Sequence, residues 1–148
     1  FFCVKPINEM KMSFESRSCN ESFARSAVAA FILVLDPNVE ELSDIKTAVS
    51  EAVTNSIVHG YRETFGMVYI HVKIFEGARI QISIKDKGCG ISDVKKAMEP
   101  LYTSCETGER AGLGFSIMES FMDKLKVRSK PGKGTSVTLE KSIVSKGK

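Results

Sequence analysis

The sequence predicts an α+β protein, a two-layer α/β sandwich whose mostly antiparallel, mixed sheet carries its helices on one face. Three observations lead there. Val68, Ile70, Val72 and Ile74, then Ile80, Ile82 and Ile84, alternate with polar residues, the period of half-buried strands. Two stretches upstream repeat apolar residues at helical spacing. The helical stretches are set apart from strands joined by short turns, an order that favours antiparallel pairing over repeated crossovers.

The elements follow in order. Met10, Met12 and Phe14 alternate with Lys11, Ser13 and Glu15 as a short strand. Ser18 or Asn20 is placed to cap a first helix from Glu21 to Leu35, with Phe23, Ala27, Ala30, Phe31 and Val34 as its apolar side and Asp36-Pro37 as its stop. A second helix is expected from about Val39 to His59, ended by Gly60. Leu42, Ile45, Val49, Val53 and Ile57 form its core stripe. Glu51, Asn55 and His59, one turn apart, fall on a nearly opposite side, with Ala48 and Ala52 leaving room beside them.

A hairpin turning at Glu76-Gly77-Ala78-Arg79 comes next, with Asp86 where its second strand ends. Ser92 to Met98 is expected to be a short helix stopped by Pro100, and Pro100 to Ala111, which lacks a period, a mobile flap. A helix opening at Gly112-Leu113-Gly114 should turn Phe115, Met118, Phe121 and Met122 inward. Strands at Leu125–Ser129 and Thr135–Glu140 then close the chain through Pro131-Gly132-Lys133-Gly134.

Composition sets the bounds. At 148 residues and 43% hydrophobic, the chain suits one domain with a full core. Residues 7–143 are read as that domain, 1–6 as an extension or remnant of unassigned role, and 144–148 as a basic tail. The net charge of +3 comes from 21 Lys+Arg and 18 Asp+Glu scattered along the sequence, which does not indicate nucleic acid. No apolar run is long enough to cross a bilayer. Cysteines 3, 19, 89 and 105 have neither metal-ligand spacing nor disulfide-scaffold density, and read as reduced thiols in a cytoplasm.

Several residues could carry chemistry together. Asn55 can give an oxygen to Mg2+, a hard cation that needs few protein ligands when phosphates supply the rest. Glu51, one turn earlier, could take a proton from an attacking hydroxyl. Asp86 could accept a hydrogen bond from the exocyclic amine of adenine. Gly88 and Gly90 would let the base approach, Ile91 would give it an apolar surface, and Thr135 would complete the pocket. Gly112 and Gly114, around Leu113, could aim backbone N–H groups at phosphate. Singly, each has a plainer reading: a solvated helix face, a turn carboxylate, an ordinary loop.

In this order and spacing the motifs resemble the ATP-binding fold of gyrase-type ATPases and histidine kinases, the Bergerat or GHKL fold. Asn20-Glu21-Ser22-Phe23-Ala24-Arg25, Glu41 to Thr47, Ser50-Glu51-Ala52-Val53-Thr54-Asn55, His59-Gly60-Tyr61 and Gly114 to Glu119 are, more narrowly, similar to the stage II sporulation protein AB family, the anti-sigma F factors of spore-forming bacteria. The resemblance implies a homodimeric serine kinase with ATP/ADP and Mg2+ as its cofactors. It would bind a sporulation sigma factor and phosphorylate an anti-anti-sigma protein. On that basis Glu51 is the base, Asn55 the Mg2+ ligand, Asp86 the adenine reader, and Gly88, Gly90, Gly112 and Gly114 the pocket glycines. Arg110 would approach phosphate from the flap, where Cys105 stands in place of the lysine common in such kinases. Arg25 is expected to be a partner contact or a solvated arginine. The alternatives are a stress-response, sigma B type anti-sigma kinase and a non-catalytic, nucleotide-gated sigma-binding module.

Overall fold

A computed structural model describes residues 4–62, 64–98 and 111–144. Strand β1 is Asn8–Glu15, helix α1 Asn20–Ile32 and helix α2 Val39–Thr54, which runs into a π-helical turn, Asn55–Gly60. The hairpin follows as β2, Met67–Phe75, and β3, Arg79–Asp86. Then come the short α3, Val94–Ala97, α4, Ala111–Phe121, β4, Lys124–Lys130, and β5, Gly134–Ser142. The strands form one sheet in the order β1-β2-β3-β5-β4, antiparallel at every pairing.

Alternation decides what the sheet covers. Val68, Ile70, Val72, Ile74, Ile80, Ile82, Ile84, Val137 and Leu139 are buried against the helices, while the residues between them face away from the helical layer. The helices bring Ile45, Val49, Val53, Phe115 and Met118 to the same core. Register sets the row that matters for the site. Phe14 pairs with Val68, Val68 with Asp86, Asp86 with Thr135, and Thr135 with Ser129. One end of the sheet therefore turns a carboxylate and two hydroxyl residues toward the helices.

The N-terminus of α2 is held by a capping box. Asn38 Oδ1 accepts from the Glu41 N–H at 2.7 Å and Glu41 Oε1 accepts from the Asn38 N–H at 3.0 Å, an arrangement worth about 1 kcal/mol. Glu41 Oε2 also accepts from the Val144 N–H at 2.8 Å, tying the end of the described chain to that cap.

Three sequence expectations are corrected. The buried side of α1 is Ala24, Val28, Ala29 and Ile32, whereas Phe23 is 55% and Val34 68% exposed and Ala30 is also exposed. Small residues face α2 because they let two helices approach closely, and Phe23 packs edge-on against Phe14. Neither Ser18 nor Asn20 caps α1; the Asn20 amide donates to the Glu15 carbonyl at 2.9 Å. Phe121 stands at the exposed end of α4 while Phe115, Met118 and Met122 go inward as expected.

Candidate functional site

The row at the sheet end, the π-helical turn and α4 surround a cavity of about 160 Å³, lined among others by Asn55, Ser56, Asp86, Ile91, Phe115 and Thr135. Whole small-ligand sites run to roughly 300–1,000 Å³, so this space has the size of a base and not of a complete nucleotide. Its walls are apolar where Ala52, Ala97, Phe115 and Val137 meet, and polar where Asp86 closes it.

Asp86 is 3% exposed. Burial pushes its carboxyl above the ordinary range, although hydrogen bonds from the Gly88 N–H, the Ser56 hydroxyl and the Thr135 N–H pull the other way. The Gly88 bond, to Oδ1, is 2.9 Å. These donors hold the carboxyl at the cavity wall, where a ligand N–H would gain a partner already stripped of water.

The loop after Asp86 is laced to its surroundings through main chain. The Cys89 N–H donates to the Gly60 carbonyl at 2.8 Å and the Gly132 N–H to the Cys89 carbonyl at 2.7 Å. The Lys87 N–H reaches the Tyr61 hydroxyl at 2.8 Å, and that hydroxyl donates to the Met67 carbonyl at 2.7 Å. A Cβ at Gly88 would stand 2.1 Å from the Gly60 carbonyl oxygen, and one at Gly90, where φ is +78°, 2.0 Å from the Lys130 carbonyl oxygen. The sequence suggested that these glycines leave room for a base; their bareness serves chain-to-chain contact, and of the two only Gly90 also lines the cavity.

Ser129 is the pivot on the opposite wall. Its hydroxyl donates to the Gly134 carbonyl at 2.9 Å, accepts from the Ile91 N–H at 2.7 Å and lies 2.8 Å from Thr135 Oγ1. Thr135 and Ile91, both expected in the pocket, are positioned by this residue.

Glu51 and Asn55 converge on α4. A Cβ on Gly114 would lie 3.1 Å from Glu51 Oε1 and 3.5 Å from both amide atoms of Asn55, so the glycine is what lets the two side chains reach that helix. Asn55 lines the cavity with Asp86; Glu51 lies just outside it, in a shallow groove between α1 and α2 that also reaches Arg25. Burial, and then the negative charge of Glu21, push the Glu51 carboxyl above its usual range. Asn55 Nδ2 is buried with no hydrogen-bond partner among the described residues. The orphaned atom is a donor and fits an acceptor such as a phosphate oxygen, while a hard cation that arrives with its own phosphate ligands would be held through the amide oxygen. A self-sufficient metal site does not fit, since the described residues contain no group of three His, Cys, Asp or Glu able to hold one.

Other expected residues fall as follows. Gly112 and Leu113 belong to the first turn of α4. Arg25 pairs with Glu21 at 3.7 Å and donates to Ser22 Oγ at 3.3 Å, on the α1 surface and away from the cavity. Arg110, Cys105 and the flap lie outside the described residues. Cys89 is exposed, its thiol 3.2 Å from the His59 carbonyl. Sequence reasoning missed Ser56, Tyr61 as an anchor, and Ser129. Only the adjacency of Ser56 to Asn55, and of Tyr61 to Gly60, hinted at the first two.

The histidine kinase-like ATPase domain model matches residues 15–141. The chain is similar to an anti-sigma F factor of Clostridium novyi (strain NT), at 58% identity over 93% of this chain and 96% of that one. An anti-sigma F factor of Thermoanaerobacter sp. (strain X514) is 54% identical over the same shares. Among solved structures, the RsbU and RsbW domains of a Mycobacterium tuberculosis protein superpose with a TM-score of 0.67 at 15% identity, covering 93% of this chain and 33% of that one. A blue-light activated histidine kinase of Erythrobacter litoralis gives 0.59 at 21% identity, covering 82% and 41%. At such identities the solved structures speak for the fold alone.

Proposed function

As the chain belongs to the histidine kinase-like ATPase domain family and, within it, to the anti-sigma F factors, we propose that it binds and inhibits a sporulation sigma factor and uses Mg-ATP to phosphorylate a serine of an anti-anti-sigma protein. It acts as a homodimer in the cytoplasm. The observation that carries the chemical half is the meeting of Glu51 and Asn55 at Gly114, beside a base-sized cavity closed by a buried carboxylate.

In this reading Asp86 accepts the adenine amino hydrogen, Ile91 and Phe115 cover the ring, and Thr135 borders it. The backbone of Gly112, Leu113 and Gly114, at the positive end of α4, faces the phosphates, and Arg110 adds a cation to them. Asn55 would hold Mg2+ through its amide oxygen, and the ion would supply neutralisation of charge on the phosphates. Glu51, poised by burial as a better proton acceptor than an exposed glutamate, takes the proton of the incoming serine. The groove between α1 and α2 links Arg25 to Glu51, which suits Arg25 as a contact for the protein partner.

The test is direct. Purified protein, Mg-ATP and the anti-anti-sigma protein should yield phosphoserine by mass spectrometry, and Glu51→Gln should lower the rate by about 100-fold or more while still binding nucleotide. Nucleotide-dependent sigma binding without phosphoserine would leave only the binding module. Association with a stress-response sigma factor instead would reassign the partner.

A further inference from the structure

We propose that Ser129 is a positioning residue for base selection: it draws the hydroxyl proton of Thr135 out of the cavity, so that the wall Thr135 forms with Asp86 and Ser56 offers a ligand only acceptors. The inference rests on the reading that the cavity holds a nucleotide base. Ser129 itself does not line that cavity and acts through Thr135.

The sheet register sets the residues in line, Asp86 beside Thr135 and Thr135 beside Ser129. A serine hydroxyl has one proton and two lone pairs. Three groups surround Ser129 Oγ: the Gly134 carbonyl at 2.9 Å can only accept, the Ile91 N–H at 2.7 Å can only donate, and Thr135 Oγ1 at 2.8 Å can do either. With the Ser129 proton on the Gly134 carbonyl, all three contacts close only if Thr135 donates. Were that proton given to Thr135 instead, the lone pairs of Ser129 would face the carbonyl oxygen of Gly134, a residue that is itself buried.

The same count empties the neighbouring groups of protons. The Thr135 N–H and the Ser56 hydroxyl both donate to the Asp86 carboxyl, and neither has a second proton to give. Asp86 is 3% and Ser56 4% exposed, so bulk water scarcely reaches them to relax the pattern. A base that brings an amine to this wall finds partners. One that brings an oxygen meets oxygen lone pairs with no proton between, a mismatch that a buried polar site penalises strongly. An unrestrained threonine hydroxyl would swing its proton round to relieve that clash, and Ser129 is what prevents it.

The experiment measures, by calorimetry on the full chain, the affinities for ATP and for the triphosphate of 6-methoxypurine riboside. That analogue carries an ether oxygen in place of the amine and, like adenine, no ring N–H. The ratio of the two affinities is the readout, because the extra methyl group of the analogue weighs on every variant alike. The parent should favour ATP. Ser129→Ala, which frees the Thr135 proton, should shrink that preference at least ~5-fold, and Ser129→Thr, which keeps a hydroxyl, should retain it. Ser129 also holds the Ile91 N–H, so a purely structural role would weaken both ligands equally in Ser129→Ala, and an unchanged ratio overturns the proposal. Thr135→Val reads the same proton with Ser129 in place and keeps the test standing should Ser129→Ala not fold. The preference should shrink there as well; one that grew would mean that the proton had pointed into the cavity. A parent that binds ATP without preferring it to the analogue overturns the assignment on its own, whereas a parent that binds neither sinks the nucleotide reading and this inference with it.

Discussion

Glu51 combines two consequences of one placement. Its carboxyl is raised first by burial and then by Glu21, so the folded chain holds that proton more tightly than the unfolded chain does. The stabilising contribution of such a group is complete below its unfolded value, about pH 4.3, and is lost as pH climbs through the folded value. Glutamine escapes that loss. Glu51→Gln is therefore expected to be more stable than the parent at pH 7, by under ~1 kcal/mol because the group is still partly solvated, with the gap closing near pH 3.5. Urea unfolding at the two pH values checks it, and an equal gap at both would remove the electrostatic explanation. Gly114→Ala separates site from scaffold in another way. Alanine gains about 1 kcal/mol in a helix interior, and the atoms nearest the new methyl are the flexible tips of Glu51 and Asn55. The urea midpoint should hold or rise while phosphoryl transfer falls at least ~10-fold, since small displacements of positioned groups are costly.

Among the elements, the π-helical turn Asn55–Gly60 is the one whose pitch the site depends on. Tyr61 N–H donates to the Ser56 carbonyl at 3.0 Å, five residues back, and the widened turn lets Asn55, Ser56, His59 and Gly60 all border the cavity. Removing Val58 should restore α pitch and rotate Gly60 by about 100° away from Asp86. The Cys89 bond to Gly60 would then be lost, and nucleotide affinity by calorimetry should drop at least ~10-fold with helical circular dichroism retained. Unchanged affinity would show that the pitch is incidental. The sequence pattern could not have announced this turn: α and π segments draw on the same residues, and Val39 to His59 reads as one uninterrupted helix. The strands were legible because one face is buried and period two has no competitor. In α1 the apolar residues occupy two sides, so periodicity alone chose Phe23 and Val34 where packing against α2 chose Ala24, Val28 and Ile32. Glu51, Asn55 and Asp86 were readable as a set through their spacing. Ser129 and Tyr61 were not, because each acts through hydrogen bonds to chain distant in sequence.

For the molecule as a whole, the cavity is built where three separate chain segments are pinned to one another. Gly134, at φ +102°, brings its Cα so near the Asp86 carbonyl that a Cβ would stand 2.1 Å from that oxygen, and Gly88 approaches Gly60 equally closely. The end of α2, the end of β3 and the β4–β5 hairpin thus form one seam, and a ligand gripping Asp86 grips all three. Binding to the folded state alone adds RT ln(1 + [L]/Kd), about 2.7 kcal/mol at one hundred times Kd. For a chain of this size that corresponds to a Tm rise of roughly 5–11 °C. Mg-ATP at that excess should produce such a shift in the parent protein, and GTP a much smaller one, because guanine presents a carbonyl to Asp86 where adenine presents an amine. Asp86→Ala should erase the ATP response even at concentrations that saturate the parent. Equal shifts with ATP and GTP would take base recognition away from Asp86, and no shift with either would take the nucleotide out of the cavity.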